Sequence, residues 1–170
     1  MDLTHFIRDI PDFPQKGIIF KDITPLLQSP AAFKEAVDRL TQINKGKNIE
    51  VVAAVEARGF ILGAPLAYNL GASFVPIRKL GKLPSKTVRA DYALEYGSAS
   101  VEVHEDGILP GKRVLAVDDL LATGGTMSAT IELIERLGGK VVGVSFLVEL
   151  GFLSGRERIK AYDPVALIKY

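Results

Sequence analysis

The chain is expected to fold as an α/β domain with a mostly parallel central sheet flanked by helices. Three observations lead there. Val51 to Val55, Arg113 to Val117 and Lys140 to Leu150 are apolar runs rich in β-branched residues, the pattern of strands buried on both faces. Helical patterns follow the first two, over Gly59 to Leu70 with Gly71 as stop and over Thr126 to Leu137 with Gly138-Gly139 as stop. Strand and helix in alternation imply crossover connections and a parallel sheet.

The other elements fit that frame. Ser29-Pro30 reads as an N-cap followed by proline at the first helical position. Phe33, Ala36, Val37, Leu40 and Ile43 then recur at helical spacing. Ser73 to Ile77 reads as a strand, Val101-Glu102-Val103 alternates, and Val165 to Ile168 makes a last short strand. Gly81 to Gly97 has no clean period and is rich in charge and turn formers. No internal repeat or low-complexity segment interrupts the 170 residues, which suffice for one domain over 1–170 with a real core.

Composition narrows the function classes. A 48% apolar fraction and a net charge of +1 are those of a soluble globular protein, without the basic surplus that nucleic acid or a membrane surface would require. Cysteine is absent, which excludes disulfides and thiolate metal sites. The start, Met1-Asp2-Leu3-Thr4-His5, lacks the basic and apolar stretches of a signal peptide, and no run reaches about 18 apolar residues. A cytoplasmic location is the expectation. His5 and His104 sit in no ligand-spaced cluster and read as structural or exposed.

Arg113 to Thr126 reads RVLAVDDLLATGGT. A buried strand delivers two adjacent acids, Asp118 and Asp119, and Ala122, Thr123, Gly124, Gly125 and Thr126 then open a helix. Glycines let backbone approach a phosphate closely, amides and threonine hydroxyls donate to it, and a helix start favours its charge. The acids can accept from ribose hydroxyls or hold a hydrated divalent cation. The turn is not a Walker A loop, since no lysine follows the glycines, nor a dinucleotide fingerprint, since G-x-G-x-x-G is missing. One phosphate is expected, so the stretch points to a sugar phosphate.

A second polar loop, Glu56-Ala57-Arg58-Gly59, also follows a strand, and ligands of parallel sheets sit beyond the strand ends. Arg58 is a surface arginine at a helix start or a bidentate phosphate ligand. A cation at the positive helix end is mildly unfavourable, which favours the second. Arg78, Lys79, Lys82, Lys86 and Arg89 concentrate positive charge in the irregular stretch, which is a solvated hairpin or a lid. Phe20 is a core aromatic or a stacking one.

The stretch Val114 to Thr126 resembles the phosphoribosyl-pyrophosphate motif of the type I phosphoribosyltransferases. Asp12-Phe13-Pro14, Phe20 to Pro25, Glu56 to Phe60, Arg78-Lys79, Gly81 to Pro84, Leu94 to Gly97 and Val148-Glu149-Leu150 extend the likeness to the adenine-using branch of that family. The resemblance implies the type I phosphoribosyltransferase fold, with a small N-terminal hood within about 1–28 and a flexible lid over about 78–97. It implies a 5-phosphate at Ala122 to Thr126, ribose at Asp118 and Asp119, and pyrophosphate at Arg58, Gly59, Lys79 and Lys82. Adenine would meet Ile19, Phe20, Lys21 and Leu150. Glu95 becomes the candidate for proton transfer at the purine, with Arg58 assisting catalysis and Tyr96 stacking or gating beside it. Relatives that use 6-oxo purines carry aspartate where Ala122 stands, so a group outside the phosphate motif must serve as base.

The reaction so implied moves a 5-phosphoribosyl group from phosphoribosyl pyrophosphate to adenine, releasing AMP and pyrophosphate. Mg²⁺ would be held by substrate oxygens and water rather than directly by protein, and the chain would pair as a homodimer with no nucleic-acid or membrane partner. Transfer to another purine base and a non-catalytic sensor of phosphoribosyl pyrophosphate are the alternatives.

Overall fold

A computed structural model of the chain describes residues 1–94 and 97–170. They divide into two compact units, Met1–Arg39 and Leu40–Tyr170. The smaller unit thus runs beyond the hood expected within 1–28.

In the smaller unit, β1 (Arg8–Pro11) pairs antiparallel with β2 (Ile19–Asp22), Arg8 opposite Asp22 and Pro11 opposite Ile19. A short helix, α1 (Thr24–Gln28), and the start of α2 (Pro30–Asn44) follow. Asp22 links hairpin to helix. It accepts from the Thr24 hydroxyl at 2.5 Å, the Thr24 amide at 2.9 Å and Arg8 Nη2 at 2.6 Å. These donors, the Thr24 hydroxyl foremost, hold the Asp22 carboxyl at about 2. Ser29 caps α2 as expected, its Oγ accepting from the Ala32 amide at 3.3 Å.

The larger unit continues with β3 (Val51–Val55), α3 (Arg58–Leu70), β4 (Ser73–Lys79), β5 (Thr87–Ala93) and β6 (Ser98–His104). Then come β7 (Arg113–Leu121), α4 (Gly125–Arg136), β8 (Lys140–Glu149), α5 (Arg156–Ile159) and β9 (Val165–Lys169). Seven strands form one sheet in the order β5-β6-β4-β3-β7-β8-β9. Strands β4, β3, β7, β8 and β9 run parallel, and the β5–β6 hairpin adds antiparallel to β4. The apolar runs are buried as their sequence requires, with every residue of β3 buried. Leu115, Val117 and Leu133 are wholly buried, each worth roughly 1.5–3 kcal/mol. Gly71 ends α3 in the left-handed conformation at φ 65°. No helix among the described residues is long and apolar enough to cross a membrane.

The order has one feature that places a site. The chain moves from β3 to β4 on one side and later returns to β7 on the other, so β3 and β7 flank a topological switch point. Both polar loops leave the sheet there.

The stretch from 78 to 97 corrects an expectation. It is not irregular throughout, because Thr87–Ala93 is a strand paired residue for residue with Ser98–His104. Val88, Ala90 and Tyr92 turn inward while Arg89 and Asp91 face solvent. The outward charges conceal a period of two. Residues 80–86 form a loop, and it is tied down. Buried Glu102 accepts from the Gly81 amide at 3.0 Å and the Thr87 hydroxyl at 3.1 Å, and Arg78 Nη1 donates to the Lys82 carbonyl at 3.1 Å. Replacing Glu102→Ala should cost about 1–3 kcal/mol by unpairing those donors. It should also speed protease cleavage within 80–86, measured beside a urea melt.

Candidate active site

At the switch point Arg58, the first residue of α3, reaches Asp119 on β7, Nε to Oδ2 at 2.6 Å. Asp119 is almost fully buried, so its charge needs a partner and the guanidinium supplies one. Its neighbour behaves differently. Burial first, then the charge of Asp119, pushes the Asp118 carboxyl well above the usual carboxylate range, against a 2.8 Å bond from the Asp119 amide. Asp118 is therefore more readily protonated than an ordinary carboxyl, beside an Asp119 that is paired with Arg58.

A cavity of about 380 Å³ opens beside them, lined by Arg58, Lys79, Asp118, Asp119, Thr126 and by Val55, Glu56, Ala57, Tyr92 and Val101. It adjoins a recess of about 70 Å³ lined by Ala122, Thr123, Gly124, Gly125 and Thr126, with Asp118 and Thr126 common to both. Gly124 caps α4 at φ 83°, and the first helical bond runs from the Ser128 amide to the Gly124 carbonyl. The amides of Gly125, Thr126 and Met127 therefore precede the helical ladder, as anion donors at a helix start do. A small anion-suited recess opens onto a larger cavity carrying a guanidinium, an ammonium and two carboxyls. That division fits a monoester phosphate joined to a polar, further-charged remainder.

Glu56 is a lining residue that the sequence reading placed in the polar loop without giving it a role. Burial pushes its carboxyl up, but the Lys79 amide at 2.5 Å and Arg78 Nη2 at 3.1 Å outweigh burial and hold it below the usual range. Glu56 thus ties the end of β3 to that of β4. Tyr92 was missed because its strand was read as irregular. Its ring bounds the 122–126 turn, since a Cβ on Gly125 would lie 3.3 Å from Tyr92 Cδ2.

Other expected residues fall elsewhere. Gly59 is packed behind the lining, where a Cβ would lie 3.0 Å from Asp118 Oδ1 and 3.2 Å from the Val117 carbonyl. Lys82 sits on the 80–86 loop and is not among the cavity's lining residues. Leu150 follows β8, its amide bonded to the Leu121 carbonyl at 2.9 Å. Glu95 and Tyr96 lie outside the described residues. Within the smaller unit, Phe20 meets Phe13 edge to face at 5.2 Å, Ile19 is exposed, and Lys21 Nζ bonds Asp9 at 2.6 Å. Ile10, Phe13, Phe20 and Asp22 line a hollow of about 200 Å³ there.

Comparison with known proteins decides the family. Residues 22–167 match the phosphoribosyl transferase domain. The chain is 59% identical to adenine phosphoribosyltransferase of Thermotoga petrophila over 170 residues, all of both chains. The crystal structure of adenine phosphoribosyltransferase from Thermoanaerobacter pseudethanolicus superposes with a TM-score of 0.96 at 53% identity, over 99% of this chain and 98% of that one. The chain belongs to the phosphoribosyltransferase family, in its adenine branch. A further member, the Saccharomyces cerevisiae enzyme crystallised with an imino-altritol bisphosphate and adenine, has a TM-score of 0.89 at 36% identity, covering 98% of this chain and 95% of that one.

The phosphoribosyltransferase carboxyl pair carries a pH-dependent cost. Because Asp118 titrates higher folded than unfolded, the folded state binds the additional proton. Its contribution to stability therefore falls as pH rises from the unfolded carboxylate range through the folded pKa. Asp118→Asn should be more stable than wild type by on the order of 1 kcal/mol at pH 8, the gain vanishing toward pH 4, while turnover drops. Urea melts at the two pH values check the sign.

Proposed function

We infer that the chain transfers the 5-phosphoribosyl group of phosphoribosyl pyrophosphate to adenine, giving AMP and pyrophosphate in purine salvage. The observation that carries this reading is the small anion recess opening onto the Arg58–Asp118–Asp119 cavity, in a chain that matches adenine phosphoribosyltransferases from end to end.

The 5-phosphate sits in the 122–126 turn, on amides at the start of α4. Asp118 and Asp119 accept from the ribose hydroxyls. Arg58, with Lys79 from the end of β4 and Lys82 from the adjoining loop, receives the pyrophosphate, and Gly59 lets α3 start close to it. The bond from the anomeric carbon to the pyrophosphate oxygen breaks with its electron pair leaving on pyrophosphate. The anomeric carbon passes through an oxocarbenium-like state, and N9 of adenine forms the new bond. Glu95 takes or shares the proton lost from the purine. Positioning and charge stabilisation account for the acceleration.

Mg²⁺ fits a cavity whose oxygen donors are Glu56, Asp118 and Asp119, with Asp119 already engaged by Arg58 and Glu56 by Arg78. It would be held chiefly by substrate oxygens and water beside those acids, and it would supply positive charge to offset that of pyrophosphate. By likeness to the family, Phe20 offers its ring and Ile19 and Lys21 their backbone to the base, with Leu150 a further contact. On the same likeness the enzyme is a cytoplasmic homodimer.

The direct assay incubates donor and Mg²⁺ with adenine, hypoxanthine, guanine or xanthine and follows pyrophosphate release. Adenine alone should support turnover, and turnover with none of them would reject the reading. Gly125→Val, driven into Tyr92 and the phosphate space, should raise the donor KM at least about tenfold. Glu95→Gln should lower kcat by about 10²-fold or more while changing donor affinity little, and unchanged turnover would remove Glu95 from the proton transfer.

A further inference from the structure

At Gly155 the segment following β8 lies backbone to backbone against the 122–126 turn. A Cβ on Gly155 would lie 2.1 Å from the Ala122 carbonyl oxygen, 2.8 Å from the Gly124 nitrogen and 2.9 Å from the Thr123 carbonyl carbon. Reciprocally, a Cβ on Gly124 would lie 2.5 Å from the Gly155 carbonyl oxygen. Every one of these atoms is main chain, so no side chain can swing aside to make room. Residue 155 is buried and sits at the start of α5.

The next residue fixes where that backbone lies. Arg156 donates from Nε to Glu149 Oε1 at 2.9 Å and from Nη2 to Oε2 at 2.5 Å, a two-pronged pair, and from Nη1 to the Pro164 carbonyl at 2.6 Å. Glu149 is 5% exposed and stands at the end of β8, opposite Leu121 on β7 and Lys169 on β9. Leu121 is the residue immediately before the phosphate turn. The Arg156 bonds also keep the Glu149 carboxyl below the usual range despite burial, so the charged pair persists through neutral pH.

We propose that Gly155 and Arg156 are positioning residues for the phosphate turn. Arg156, locked to Glu149, seats the Gly155 backbone against Ala122–Gly124 and thereby fixes the amides that receive the 5-phosphate. This rests on the reading of 122–126 as the phosphate site. The effect is steric: moving the amides off the phosphate oxygens weakens their hydrogen bonds, and a tenfold loss of affinity corresponds to about 1.4 kcal/mol.

The test compares Gly155→Ala, Arg156→Lys and wild type, using Gly125→Val as reference. For Gly155→Ala, the donor KM and the AMP dissociation constant should rise about tenfold, with kcat at saturating donor and the adenine KM within about twofold. Binding of adenosine, which lacks the phosphate, should be unchanged. Arg156→Lys keeps the charge but not the fork, and should shift AMP over adenosine in the same direction by a smaller factor. If Gly155→Ala does not fold, the Arg156→Lys ratio decides alone. Equal losses for AMP and adenosine would overturn the inference, since they mark general disruption. An unchanged donor KM in Gly155→Ala and Arg156→Lys, with Gly125→Val impaired, overturns it and leaves the phosphate reading standing. An unchanged donor KM in Gly125→Val as well overturns that reading itself.

Discussion

Two neighbouring carboxyls toward the C-terminal end of β7 repel each other, and the architecture around the switch point answers that repulsion. At the effective dielectric of a protein site, unit charges about 4 Å apart interact by on the order of 4 kcal/mol, so neither group can stand unassisted. Arg58 meets Asp119 from the start of α3, while Asp118 takes the burden as an upward shift of its pKa. Residues from two different strand–helix units are thereby bound together. On the proposed function, pyrophosphate would compete with Asp119 for the same guanidinium, and ribose hydroxyls would meet both acids.

Around that pair the cavity is framed by side chains that join strand ends. Glu56 holds β3 to β4 through the Lys79 amide and Arg78. Glu102 secures the foot of the 80–86 loop, and Glu149 binds Arg156 beyond β8. Each is a carboxylate little exposed to solvent, whose charge is satisfied by donors from another part of the chain. Buried acids of this kind favour one arrangement, since any other leaves a charge without partners. Rigid placement suits a reaction in which the enzyme mainly orients two substrates and stabilises the charge that separates between them.

Much of this was legible in the chain. Apolar runs for β3, β7 and β8, the stops after α3 and α4, and the Ser29-Pro30 helix start each depend on neighbours in sequence, where period and capping act. The 122–126 turn at the start of α4 was legible because its parts are contiguous. Strand β5 was not, because Arg89 and Asp91 occupy its outward face and masked the inward Val88, Ala90 and Tyr92. Tyr92 was lost from the site for the same reason. Glu56 was visible in its loop, but nothing local says that Arg78 and the Lys79 amide converge on it.

By itself the sequence determined the sheet class, the turn that suits a phosphate, and the two acids beside it, since those follow from periodicity and from groups a few residues apart. Tertiary structure decided which cation answers which acid, that the 87–93 stretch joins the sheet, and that Gly155 abuts Gly124. Those contacts join residues 31 to 61 positions apart in the first and last cases, as the numbering of Gly124, Gly155, Arg58 and Asp119 shows. Only the folded sheet, by bringing strand ends to one edge, gives such separated groups a common surface.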